Sequence, residues 1–298
     1  MEMTINYCGT IPRKNNIIPA HYWKHEGDPL TICIAAIGMD GDQECIVFAT
    51  DHMISMNMGE EHGYWKFEHS IKKYKNINEK TIAMFAGNPL IIEELLNGTK
   101  NNKKSYSEIK TQIQENFKTI RETQLRTGFF DILGIDKNFM KENLGKEISN
   151  KYIERILDSY FDFSVGSSIL LIGFEEFDGN QYAMITSISE GSAVDFRELT
   201  FHAIGTGDAQ AINTLLFQAH NKNDSVLTTV YDVFKAKKFA EVCEGVGQKT
   251  DLGILRINGK KMIESKELED EKGILRKLYK EEMENARKHE SLKSLIIA

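Results

Sequence analysis

Adjacent lysines Lys72 and Lys73 sit in a run rich in β-branched and aromatic residues, SIKKYKNI, and that placement carries chemistry. Successive strand side chains point to opposite faces, so one of the two must turn toward the sheet interior or a cleft. An inward ammonium is costly unless it meets a carboxylate. Asp51, within the neighbouring run CIVFATDHMIS, is the natural partner. The plainer reading of Lys73 is a surface lysine on an amphipathic strand. A second constellation, Gly205-Thr206-Gly207-Asp208, enters a helix expected at Ala209–His220. It lacks the later glycine of a dinucleotide fingerprint, and Thr206 there also reads as a helix N-cap. His21 and His25 are four apart, and a helix would set them on one side of a metal, but no third ligand accompanies them. Cys8, Cys33, Cys45 and Cys243 show no metal-ligand spacing. We expect neither a metal nor a cofactor.

The elements that must position these residues begin at Thr31. TICIAAIGMDG, CIVFATDHMIS, SIKKYKNI and TIAMFAG read as four strands in two hairpins, turning at Asp40-Gly41-Asp42 and Asn78-Glu79-Lys80. Gly87-Asn88-Pro89 then punctuates the chain, with Asn88 as N-cap and Pro89 in the first turn of a helix at Leu90–Leu96. The stretch from Asn57 to His69 reads as a polar gap. From Ser105 to Thr127, Ile109, Ile113, Phe117, Ile120 and Leu125 recur at helical spacing. Residues 128–163 read as further helix, with Phe129-Phe130 more at home in a core than in a ligand site. Strands follow at Ser167–Phe174, Tyr182–Ser189 and Leu199–Ile204. Asp224-Ser225 caps a helix through about Cys243, and Thr250-Asp251-Leu-Gly-Ile-Leu gives the last strong strand. From Lys261 onward a charged helical pattern carries Ile274, Leu278 and Met283 as a sparse apolar stripe.

The 298 residues fit one large domain or two small ones. A net charge of -7 argues against general nucleic-acid affinity, which needs clustered cations. No apolar run reaches the length of a membrane span, and the amino terminus lacks a signal-peptide core. Two cysteines lie on apolar strands, where a reduced thiol packs as a small hydrophobe; a cytoplasmic, disulfide-free protein is the simplest expectation.

Taken together, the residues from Thr31 to Gly87 resemble the proteasome fold of the N-terminal-nucleophile hydrolases, including β-type proteasome subunits. In that family a Thr opens the first strand, an acid closes the second, a Lys sits on the third and a Gly ends the fourth. Thr31, Asp51, Lys73 and Gly87 follow that order, and the later elements agree through about 257. The resemblance implies an α+β fold, a four-layer αββα sandwich of two mainly antiparallel sheets. Its parts would be a leader or arm at 1–30, a core domain at 31–257 with a helical insertion at about 128–163, and a charged helical tail at 258–298.

It also implies chemistry. A hydroxyl needs an adjacent base to attack an amide, and a chain beginning at Thr31 would carry nucleophile and α-amino base in one residue. Asp51 would orient Lys73, whose charge tunes that amine; the Gly87 N–H would stabilise the oxyanion. Thr206 would stand where the family's Gly-Ser-Gly brings a hydroxyl, and Thr31 itself would lie at a cleft surface. The implied activity is a threonine-type peptidase or amidohydrolase acting on a peptide or protein substrate in a homo-oligomer. Leu30 stands where the family has a Gly before the Thr. Met53 replaces an Arg, and Val246 a Ser. These departures favour the alternative, a non-catalytic proteasome-like subunit acting in assembly or partner binding. A small-molecule amidase of the same superfamily is a third reading, because fold does not fix substrate.

Overall fold

In the computed structural model the described residues are 31–57, 64–68, 71–131, 138, 142, 158, 162–270 and 272–286. The His21/His25 pair, the arm at 1–30 and most of 128–163 lie outside them.

Strand β1 (Cys33–Asp40) and strand β2 (Gln43–Asp51) form the first hairpin, with Asp40 paired to Gln43 across a two-residue turn. Gly41 takes a φ of 68° there, which a side chain would strain. The chain breaks at His52 and continues as β3 (Met53–Asn57), which pairs with β4 (Tyr64–Glu68) in a separate two-stranded ribbon. The sequence pattern runs β2 and β3 together and takes the second half of the ribbon for a polar gap. β5 (Tyr74–Asn76) and β6 (Thr81–Gly87) make the next hairpin. Asn88 then caps a short turn at Pro89–Ile91, accepting from Leu90 N at 3.0 Å, before helix α1 (Ile92–Leu95).

Helix α2 (Tyr106–Leu125) opens with a capping box, in which Ser105 and Glu108 satisfy each other's backbone donors. It buries Ile109, Ile113, Phe117, Ile120 and Leu125, the stripe its spacing predicts, and Tyr106 besides. Each such side chain is worth about 1.5–3 kcal/mol on burial. A π-helical turn at Arg126–Phe130 follows.

β7 (Ser167–Phe177), β8 (Asn180–Ser189) and β9 (Ser192–Asp195) form a meander with two-residue turns at Asp178-Gly179 and Glu190-Gly191. All four turn residues have positive φ, the left-handed pairs that match strand twist. Then come β10 (Phe201–Ile204), α3 (Asp208–Phe217), α4 (Val226–Ala240), β11 (Thr250–Arg256) and β12 (Gly259–Met262). Two short helices finish the described chain, α5 (Ser265–Glu269) and α6 (Ile274–Ala286).

The result is α+β, with two five-stranded sheets ordered β10-β1-β2-β11-β12 and β5-β6-β7-β8-β9, every pair antiparallel. One core joins the facing sides of the sheets, where Ile37, Phe48 and Leu255 meet Met84, Leu170 and Ile185. A second lies between the first sheet and α3/α4, centred on Val47, Leu215 and Phe234. The third packs α1 and α2 on the other sheet through Leu95, Phe117 and Leu171. Alternate strand residues feed opposite cores: Ile34 and Val47 go to the helices, Ala35 and Phe48 to the second sheet. The charged segment after 257 is not helical throughout, although its pattern predicts a helix, because it opens with a strand. β12 extends the first sheet, and Tyr279 of α6 packs edge-on against Phe234 and Phe239 of α4.

On β10, His202 stacks on Phe196 with ring centroids 3.6 Å apart. Burial pulls its pKa from 6.5 down to about 4. The unfolded chain therefore binds the extra proton between those values, and stability should fall as pH drops from about 6.5 toward 4. After discounting for the ring's partial exposure, the loss is on the order of 1 kcal/mol. His202→Gln should flatten that dependence in urea denaturation at pH 7 and 4.5. An unchanged slope would assign acid sensitivity to other groups.

Candidate functional site

Thr31 and Asp51 meet because β1 and β2 are antiparallel neighbours: Cys33 pairs with Thr50, so the start of one strand lies beside the end of the other. Asp51 N donates to Ile32 O at 3.3 Å and its carboxylate Oδ1 accepts from Ile32 N at 3.1 Å. The same oxygen accepts from Thr31 Oγ1 at 2.5 Å. Lys73 arrives from the second sheet, just ahead of β5. Its Nζ lies 3.0 Å from Asp51 Oδ1 and also donates to Thr31 Oγ1. Lys72 is exposed and Lys73 buried, so one of the pair does turn inward. Both lie ahead of β5 rather than on a strand, and Tyr74 beside Lys73 is buried as well, so strand alternation is not what divides them.

This is a closed triangle of hydroxyl, carboxylate and ammonium, and it is buried. Thr31 is 2 % exposed and Asp51 0 %, so the hydroxyl does not stand on a cleft surface. Asp51 is held from both sides, because its Oδ2 accepts from Met53 N at 3.1 Å and Gly247 N at 2.8 Å. The backbone donors come from residues whose side chains matter little to the bond. Met53 and the loop containing Val246 therefore still serve Asp51, through N–H groups rather than through side chains.

Gly87 ends β6 with φ 111°, where an added Cβ would lie 2.2 Å from Gly166 O. Phe85 N donates to Lys73 O at 3.0 Å. Strand alternation sets the Gly87 N–H on that same edge, toward the Lys73 side. Thr206 is half-buried in the turn before α3. The N-cap position of α3 belongs to Gly207, with no side-chain bond, so Thr206 is not the cap.

Two residues that sequence reasoning passed over belong to the site. Gly205, at φ 105°, lies so close to Thr31 that an added Cβ would be 2.4 Å from its carbonyl oxygen. Only a glycine lets that turn press on the Thr31 backbone. The Gly-Thr-Gly spelling was the available signal, and its first residue carries the contact. The other is Lys237 on α4. Its side chain is fully buried and donates to Glu241 Oε1 at 2.6 Å, Gly247 O at 2.5 Å and Gln248 O at 3.2 Å. Burial lowers its pKa, while Glu241 opposes the shift. Lys237 thus pins the loop whose Gly247 N–H grips Asp51. Its position in the stripe Val230, Val233, Phe234, Lys237, Ala240 was the readable clue, by the same argument as for Lys73.

Lys237→Met should cost about 2–4 kcal/mol, since two carbonyls and Glu241 lose a buried charged donor. Urea denaturation measures the loss, and the Gly247 amide resonance should shift as its bond to Asp51 loosens. An unmoved Gly247 resonance would show that the loop holds Asp51 unaided.

Two of the thiols, on β1 and β2, are packing groups. Cys33 and Cys45 are buried. Burial raises both thiol pKa values, to about 11 for Cys45, which keeps them protonated and unreactive. Among the described helices none is long and apolar enough to cross a membrane.

Against these features, no protein-family model matches the chain, and no curated protein matches it. A functional reading rests on the site itself.

What the arrangement can do follows from its bonds. The Thr31 proton is directed at a carboxylate and its oxygen receives a cationic donor, so proton removal and stabilisation of the resulting alkoxide are both provided for.

Proposed function

We propose that the protein is a threonine-type peptidase or amidohydrolase of the proteasome-like kind that its sequence resembles, with Thr31 as nucleophile once residues 1–30 are removed. The observation that carries this reading is the contact of Thr31 Oγ1 with both Asp51 Oδ1, at 2.5 Å, and Lys73 Nζ. A structural threonine has no need of an ammonium and a carboxylate on one oxygen.

In the reaction Oγ1 attacks the substrate carbonyl carbon and its proton passes to a base. The amide C–N bond then breaks as the leaving amine takes that proton, leaving an ester on Thr31. Water hydrolyses the ester and restores the hydroxyl. The base is the free α-amino group of Thr31; an ordinary α-amino group, with a pKa of about 7.7–8.0, has a neutral fraction at physiological pH. Asp51 holds Lys73 and the hydroxyl in line, and the Gly87 N–H faces the developing oxyanion; one such donor is worth about 3–4 kcal/mol. The protein would act as a homo-oligomer in the cytoplasm, which sedimentation tests: a concentration-independent monomer removes the oligomer.

Intact mass of the purified protein tests the first step, since cleavage between Leu30 and Thr31 makes Thr31 the first residue. A chain expressed to begin at Thr31 tests the second, on fluorogenic peptides. One observation favours a second reading, a non-catalytic subunit for assembly or partner binding. Val246, at the position where the family resemblance calls for a serine, is buried against Gly207 in the helix-side core and brings no hydroxyl. A folded chain beginning at Thr31 that turns over no peptide would favour it.

A further inference from the structure

Another cluster of chemistry-bearing side chains lies at the turn between α3 and α4, away from the Thr31 triangle. Helix α3 ends with Ala219 in the left-handed region at φ 53°. Ala219 N bonds Leu216 O at 3.0 Å and His220 N bonds Leu215 O at 3.1 Å, the double closure of a Schellman motif. That closure folds His220 back under the helix, where its side chain is 0 % exposed. Its Nε2 lies 3.0 Å from Ile37 O, and a carbonyl only accepts, so Nε2 carries the hydrogen. Nδ1 is then turned toward Asp232 Oδ2 at 3.3 Å and Asp224 Oδ2 at 3.4 Å.

The geometry points to a structural divalent-cation site formed by His220 Nδ1, Asp224 and Asp232, with zinc the best-suited ion. Three observations carry it. A metal-bound histidine characteristically donates its other N–H to a carbonyl or carboxylate, and the Ile37 carbonyl of β1, outside the cluster, accepts it here. The Nδ1–oxygen separations of 3.3 and 3.4 Å exceed the roughly 2.7–2.9 Å of a charge-assisted hydrogen bond. They match the spacing of about 3.3–3.4 Å between donors around a tetrahedral ion bonded at about 2.0–2.1 Å. Charge agrees as well: the two carboxylates balance a dication.

All three donor atoms lie within 4.8 Å of one another. Asp224, the outermost member, has a side chain 23 % exposed, and it admits water to the fourth position. An imidazole among the donors selects zinc over calcium or magnesium. The ion would tie the α3–α4 turn to β1, which Asp224 O already contacts through Met39 N at 2.8 Å. β1 starts two residues after Thr31, but the inference does not rest on Thr31 being catalytic.

The experiment uses the full chain stripped with EDTA and titrated with zinc by calorimetry, with the thermal midpoint followed in parallel. One zinc per chain and a raised midpoint are expected. Cobalt in place of zinc should give visible absorption bands of a four-coordinate centre. Asp224→Asn and Asp232→Asn should each weaken binding on the order of 100-fold and remove the midpoint rise. His21→Gln/His25→Gln should leave both unchanged, which separates this site from the paired histidines near the amino terminus. Should Asp232→Asn fail to fold, Asp224→Asn at the more exposed member decides the matter. Zinc binding equal in wild type and Asp224→Asn, or no zinc-dependent midpoint in wild type, would overturn the site and leave a buried histidine–aspartate ion pair.

Discussion

A chain beginning at Thr31 should hydrolyse peptide amides, and its Thr31→Ala variant should fall to background, a loss of at least about 1000-fold. Thr31→Ser should keep measurable turnover because it keeps the hydroxyl between Asp51 and Lys73. The Ala variant also loses a buried hydroxyl bonded to two charged groups, which costs on the order of 1.5–3 kcal/mol. Activity must therefore be compared at a temperature where circular dichroism shows both variants folded. The pH profile identifies the base. A free α-amino base gives a rate that falls below about pH 7–8. A rate that stays flat down to about pH 6 would instead assign proton removal to the Asp51 carboxylate, which already contacts the hydroxyl. Turnover by an uncleaved full-length chain, unchanged in Thr31→Ala, would place the nucleophile elsewhere.

Much of this site was legible because cost leaves a mark in sequence. A lysine turned inward beside a second lysine cannot be hidden without a carboxylate, and Asp51, ending β2 of the other sheet, supplies one. The hairpin turns were legible for the same kind of reason, since Gly41 and Gly179 supply left-handed backbone at two-residue loops. β9 was missed because Ser192–Asp195 is short and largely exposed, so no apolar alternation announces it. β12 reads Gly-Lys-Lys-Met and is recognisable only through its pairing with β11. The break at His52 is likewise tertiary: β2 and β3 are one run in sequence, but Asp51 must turn inward to collect its donors. The backbone grips from Met53 and Gly247 could not be read from residue types at all, because any non-proline residue supplies an N–H.

Asp51 should prove the costlier member of the buried pair to lose. Its carboxylate accepts from Thr31 Oγ1, Ile32 N, Lys73 Nζ, Met53 N and Gly247 N. Asp51→Ala strips the carboxylate from a buried ammonium and leaves three backbone N–H groups seeking partners, a loss of about 3–5 kcal/mol. Lys73→Met removes one donor and leaves Asp51 four others, so its cost should be smaller, about 1–3 kcal/mol. The sequence alone suggests that Lys73 removal strands Asp51; the four remaining donors argue otherwise. The double variant Asp51→Ala/Lys73→Met should then be more stable than Asp51→Ala alone, because the unpaired buried charge is gone. All three variants should lose turnover, since none presents the hydroxyl between a carboxylate and an ammonium. Urea denaturation at pH 7 measures the cycle. A double variant less stable than Asp51→Ala would show that Lys73 contributes through packing rather than through its charge, and would withdraw the electrostatic account of the triangle.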